Sequence, residues 1–106
     1  GIKVAIYEEQ SFRIQLIAAL VVGILIISLP LTLEEITVLV LAIMIVLSLE
    51  LTNSIVERIL DIIKAEHHPK IKDAKDIMAG AVILAAFGAF IIGLIIFLPY
   101  LMKVIR

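Results

Sequence analysis

The sequence contains no cysteine. Disulfides, thiolate nucleophiles and cysteine metal sites are therefore excluded, and nothing about redox compartment can be read. Charge of one sign is not in excess either: nine basic and ten acidic residues give a formal net charge of −1, so there is no reason to expect nucleic acid as a partner. Over long stretches charge is missing altogether. Residues 14–33 and 77–102 are runs of 20 and 26 without a charged side chain, and the 21 residues of 36–56 carry only one, Glu50. Each run reaches the roughly 20 residues a helix needs to cross about 30 Å of hydrocarbon. The chain is 63% hydrophobic with mean hydropathy +1.23, against an apolar share of about 45–50% in an ordinary soluble domain.

Three spans fill most of these 106 residues, which leaves no room among them for a separate soluble domain. Internal repeats and low-complexity segments are absent. A cleavable signal peptide fits the first run poorly, because the run is too long for such a segment and no small-residue cleavage site follows it. The sequence begins at Gly1 rather than Met, so a short N-terminal piece is expected to be missing. Phosphate-binding loops of the GxxxxGK[ST] type and Gly-rich nucleotide loops are also absent, and no Ser–His–Asp arrangement is suggested by spacing.

The basic residues are placed asymmetrically. Lys3 and Arg13 precede the first run; Arg58, Lys64, Lys70, Lys72 and Lys75 lie between the second and third; residues 30–35 have none; Lys103 and Arg106 follow the third. The positive-inside rule then predicts a cytoplasmic N-terminus and an external C-terminus. Residues 1–12 carry Ile2, Ala5, Ile6 and Glu9 at helical spacings and read as an amphipathic helix on the membrane surface. Pro30 suits the end of span one. Thr32 followed by Glu35 predicts a capping box opening span two, which is expected to continue as a helix to about residue 65. His67-His68-Pro69 reads as the turn, and Gly80, Gly88 and Gly93 in span three would permit close helix packing.

Glu50, Asn53, Glu57 and Asp61 fall within an arc of about 80° on one helix face. An ionisable residue inside a span marks a functional site by default. A carboxylate held in apolar surroundings suits Glu50 for proton acceptance. Glu57 could ligate a hard cation, and Asn53 could hold phosphate or substrate oxygens. The competing reading is that these groups join helices through hydrogen bonds. Glu9 lies about a turn before Arg13 and at the same membrane edge as Glu57, so it could complete a two-carboxylate metal site. Glu8 reads as part of a solvated face. Lys72, Asp73, Lys75 and Asp76, taken alone, read as a hydrophilic loop, although a lysine near a carboxylate-bound metal is also what a nucleotide phosphate needs. His67 and His68 read as solvated or capping residues.

The block Glu50-Leu51-Thr52-Asn53-Ser54-Ile55-Val56-Glu57, then Asp61, then Ala74-Lys75-Asp76-Ile77-Met78-Ala79-Gly80-Ala81-Val82, resembles the prokaryotic diacylglycerol kinase family, whose pattern is E-x-x-N-[ST]-x-x-E followed by A-K-D. Glu9-Gln10-Ser11-Phe12-Arg13 is similar to the family's E-x-x-F-R segment before its first span. The resemblance implies an all-α integral membrane protein with a surface helix and three transmembrane helices, assembled as a homotrimeric bundle with shared active sites in a bacterial cytoplasmic membrane. It implies transfer of phosphate from ATP, with Mg²⁺, to a membrane lipid alcohol. By position Glu50 would be the catalytic base and Glu9 with Glu57 the metal pair. Asn53 would lie near the transferred phosphate and Lys75 would contact ATP phosphates, with Asp76, Asp61, Arg13 and Glu66 in support. Glu66-His67-His68-Pro69 and Ala79-Gly80-Ala81 look like the undecaprenol-preferring branch. His67 and Ala79 stand where many relatives carry tyrosine and some carry serine.

Two other functions compete with a lipid kinase. One is a transporter or channel subunit using Glu50 as a proton relay; the other is a structural membrane protein whose acids pair helices. A lone chain is expected to leave Glu50 and Asn53 facing lipid, which would favour burial against another subunit.

Overall fold

The computed structural model describes residues 1–63 and 69–105, and they fold as four helices. These are α1 (Ile2–Glu8), α2 (Gln10–Ser28), α3 (Leu33–Ile62) and α4 (Pro69–Ile105). No strand occurs among the described residues. The last three helices are each long and apolar enough to cross a membrane. At 1.5 Å per residue α4 is about 55 Å long, close to the 57 Å long axis of the molecule. Both α3 and α4 thus exceed the hydrocarbon thickness and carry polar residues beyond it.

Local chemistry sets the helix limits. The amphipathic helix ends at Glu8, short of the 1–12 read from the sequence, because Glu9 adopts an extended backbone (φ −114°, ψ 106°). The Glu9 N–H still donates to the Ala5 carbonyl, and its own carbonyl accepts the Arg13 N–H at 3.1 Å. Glu9 is thereby the C-cap of α1 and the N-cap of α2 at once. The Arg13 guanidinium donates to the carbonyls of Ile6 (3.0 Å) and Tyr7 (3.2 Å), filling acceptors that the end of α1 would otherwise leave open. Helix α2 stops at Ser28, before Pro30. The Thr32–Glu35 capping box is present in both directions: Thr32 Oγ1 accepts the Glu35 N–H at 3.1 Å, and Glu35 Oε1 accepts the Thr32 N–H at 2.9 Å.

Helix α3 is the centre of the arrangement. It packs against α1, α2 and α4, whereas α2 and α4 do not meet each other. The buried apolar residues Phe12, Leu39, Val46, Val82 and Ile96 lie in these helices. Between α2 and α4 an apolar groove of about 720 Å³ runs over α3. At its end beside the α2–α3 connection the Tyr100 hydroxyl donates to Glu35 Oε1 (2.7 Å), with the Pro30 carbonyl at 3.2 Å, tying α4 to that connection and the start of α3. Large apolar side chains such as Ile24, Leu84 and Phe87 are exposed, as expected where hydrocarbon is the solvent.

Two sequence expectations do not hold in this chain. A Cβ placed on Gly80 or Gly88 would meet nothing within 4 Å, and one on Gly93 only the Phe97 ring at 4.0 Å. Gly93 lines the groove, but none of the three makes a close helix approach within the chain. Nor does Glu50 face lipid: it is 5% exposed, because α2 packs over this part of α3.

Candidate functional site

The site grows from the C-terminal half of α3. Glu50 is buried, and its carbonyl accepts the Ser54 hydroxyl at 3.1 Å, a local bond that occupies Ser54 without using the Glu50 carboxyl. One turn on, Asn53 Nδ2 donates to Glu57 Oε1 at 3.1 Å. With its amide so oriented, Asn53 Oδ1 is enclosed and has no hydrogen-bond partner. A buried carbonyl oxygen left this way costs free energy unless a ligand satisfies it.

Two residues from the N-terminal segment complete the surroundings of Glu50. Glu57 and Glu9 both lie near enough to act electrostatically on its carboxyl, and Gln15 of α2 lines the apolar groove. Glu9 is held by Arg58, whose Nη2 lies 3.0 Å from Glu9 Oε1 and 3.6 Å from Glu8 Oε1. This ion pair docks α1 on α3. Further along the stripe, Lys75 Nζ of α4 meets Asp61 Oδ1 at 2.8 Å.

Glu9, Glu50, Asn53 and Glu57, all marked from the sequence, are thus brought to one neighbourhood. Lys75 and Asp61 form a second cluster, with Asp61 about 16 Å along the helix from Glu50 by helical rise. Asp76 is exposed on α4. Arg13 is engaged in capping α1. Glu66, His67 and His68 lie outside the described residues. Sequence reasoning missed Gln15 and gave Arg58 no role beyond its charge. Gln15 was legible as an amide inside a 20-residue run otherwise dominated by apolar side chains, but it is uncharged and did not register as an interruption.

The donor set suits a hard cation. Two carboxylates and an amide oxygen offer only oxygen ligands, and Asn53 Oδ1 lacks any other partner. No group of three acidic or histidine side chains converges on one point among the described residues.

Comparison with known proteins agrees with this pattern. The family model of prokaryotic diacylglycerol kinase matches residues 1–97. The chain belongs to that family. It is 54% identical over 54 residues to the undecaprenol kinase of Bacillus subtilis (strain 168), covering 51% of this chain and 44% of that protein. It is 39% identical over 106 residues to the diacylglycerol kinase of Synechocystis sp. (strain ATCC 27184 / PCC 6803 / Kazusa), covering 97% of this chain and 59% of that one. The chain thus spans about half the length of the curated relatives it matches.

Proposed function

We propose that the protein is a membrane lipid kinase, transferring the γ-phosphoryl group of ATP to the hydroxyl of a lipid alcohol in a bacterial cytoplasmic membrane. The observation that carries this reading is the position of Glu50. It is buried on α3 one turn beyond Val46 and Leu47, which line the apolar groove, and one turn before Asn53 and Glu57. An apolar tail and a nucleotide phosphate need opposite surroundings, and Glu50 stands where the two environments meet. Membership of the family supports the same chemistry.

In this reading Glu50 accepts the proton of the lipid hydroxyl as its oxygen bonds to the γ-phosphorus. The bond from that phosphorus to the bridging oxygen breaks, and ADP leaves. Catalysis of this kind depends on positioning and charge neutralisation. Glu9 and Glu57 would hold Mg²⁺, which would neutralise charge on the ATP phosphates. Asn53 Oδ1 takes a ligand from the same assembly. Lys75 contacts phosphate oxygens, with Asp61, Asp76, Arg13 and Glu66 in support. For Glu9 this requires exchange of its Arg58 partner. The charge pattern favours a cytoplasmic N-terminus and site, where ATP is available. Family resemblance favours a homotrimer with shared sites and leans to undecaprenol over diacylglycerol.

The deciding experiment is turnover of labelled ATP by purified protein in mixed micelles with diacylglycerol and undecaprenol tested side by side. Labelled lipid phosphate, dependent on Mg²⁺, is the expected product, with more from undecaprenol. Proton or solute flux in proteoliposomes without ATP, and no lipid phosphate, would replace the reading with a transporter.

A further inference from the structure

No charged side chain lines the groove between α2 and α4. All three spans contribute to its wall, yet α2 and α4 do not meet each other. The wall runs from Gln15 to Leu29 along α2, about 21 Å by helical rise. A volume of about 720 Å³ spread over that length gives a cross-section of about 35 Å². A helix with its side chains is about 10 Å across and needs about 80 Å². The wall also offers far less surface than the roughly 800 Å² per partner that a stable protein–protein contact buries. The groove is therefore too small to seat a helix of a second copy, and its section is that of a single chain. It is also longer than one leaflet, whose hydrocarbon is about 15 Å deep.

Its two ends differ. Val46 and Leu47 line one end, a turn before Glu50. The Tyr100 ring lines the other, with its hydroxyl held by Glu35 and Pro30. Gly93 lies between them, about 10 Å along α4 from both Ala86 and Tyr100. Its neighbours one turn away on either side, Ala89 and Phe97, also line the groove. A Cβ on Gly93 would meet only the Phe97 ring, at 4.0 Å. Any side chain at this position would therefore enter the groove without displacing backbone.

We propose that the groove seats the tail of the lipid alcohol as one extended chain, and that Gly93 keeps its far half open to long chains. The proposal rests on the lipid kinase reading above. The tail arrives from hydrocarbon, so entering the groove gains nothing from leaving water. Selection comes from fit instead, because extra volume in a packed apolar space is costly. One chain of a diacylglycerol fits and its second does not, whereas a single-chain alcohol fits whole. A seated tail places the hydroxyl at the Val46–Leu47 end, facing Glu50, which is the positioning the transfer needs.

The test replaces Gly93 with Leu in the full chain and compares undecaprenol with geraniol, a prenol short enough for the half of the groove nearer Glu50. Gly93→Leu is expected to lower kcat/KM for undecaprenol by about tenfold or more, while kcat/KM for geraniol stays within about twofold. Gly88→Leu makes the same change away from the groove wall and should spare both lipids. Photolabelling gives a readout independent of turnover. Undecaprenol with a diazirine in its tail should label Leu25 and Phe97 in the groove and lose that labelling in Gly93→Leu. Unchanged undecaprenol turnover, an equal loss with both prenols, or label confined to the outward Ile24, Leu84 and Phe87 overturns the proposal. A changed oligomeric mass in Gly93→Leu by light scattering overturns it too, and assigns the groove to a second copy. If the unaltered protein transfers no phosphate, the kinase reading fails, while the labelling still decides whether the groove takes the chain.

Discussion

Lys75 and Asp61 meet at 2.8 Å between the C-terminal end of α3 and the N-terminal end of α4, so the lysine expected to touch nucleotide phosphate is already paired with the last acid of the α3 stripe. Lys75 is the less exposed partner, its side chain 32% accessible against 64% for Asp61. An exposed carboxylate that only orients a lysine is dispensable, whereas the lysine's charge is not. Lys75→Met is expected to raise KM for MgATP by at least tenfold. Asp61→Asn should change it by no more than about threefold, since exposed ion pairs are worth little. Initial rates against MgATP concentration measure both. Equal effects would mean that the pair matters as a unit rather than through Lys75.

Glu50→Gln preserves shape and burial while removing the ability to accept a proton. General-base catalysis contributes about 10²–10⁴ in rate, so a loss of that size is expected, with unchanged thermal unfolding and unchanged oligomeric state by light scattering. Retained turnover would remove Glu50 from the role of base.

The capping box of Thr32 and Glu35, the three long helices and the shared face of Glu50, Asn53 and Glu57 were legible in the sequence because each depends on spacings of a few residues. What could not be read depends on distant partners. The break at Glu9 follows from α1 docking through Arg58, 49 residues away, and from Arg13 capping the end of α1. The Tyr100–Glu35 bond spans 65 residues. The burial of Glu50 was misjudged for the same reason: it depends on α2 crossing α3 at that level, and periodicity within one helix carries no information on crossing. Gln15 escaped notice because a search for charge passes over an amide.

Asn53 and Glu57 are expected to act together on the metal. Glu57→Gln removes a carboxylate ligand and leaves the Asn53 amide free to turn. The apparent Mg²⁺ requirement should rise at least tenfold, measured as activity against free Mg²⁺ at fixed ATP. Asn53→Ala removes the unpartnered Oδ1 and should raise it by a smaller factor. An unchanged Mg²⁺ dependence in Glu57→Gln would leave these two residues as a helix-stabilising pair only.

Arg58 holds Glu9, and through it the surface helix. Because Arg58 is about half exposed, the ion pair contributes little to the stability of the spans, and Arg58→Ala should release α1 without unfolding them. Amide hydrogen exchange over residues 2–9 is expected to quicken while α3 and α4 stay protected. KM for MgATP should rise about two- to fivefold as Glu9 loses its fixed position. Improved MgATP binding would instead show that Arg58 competes with the metal for Glu9 and that the ion pair restrains the site.

Tyr100 is the counter-test for all of these. Its hydroxyl lies at the level of Glu35, about 22 Å along α3 from Glu50 by helical rise, and its partners are Glu35 in the first turn of α3 and Pro30 in the α2–α3 connection. Tyr100→Phe deletes that bond and keeps the ring that lines the groove. The tie between α4 and the α2–α3 connection is lost, so the thermal unfolding midpoint should fall. The ring still closes the groove and the base is untouched, so kcat and both KM values should hold within about twofold. A matching loss in kcat would mean that the Tyr100–Glu35 bond sets the groove's width as far as Gln15, and that the two ends of the groove are mechanically coupled.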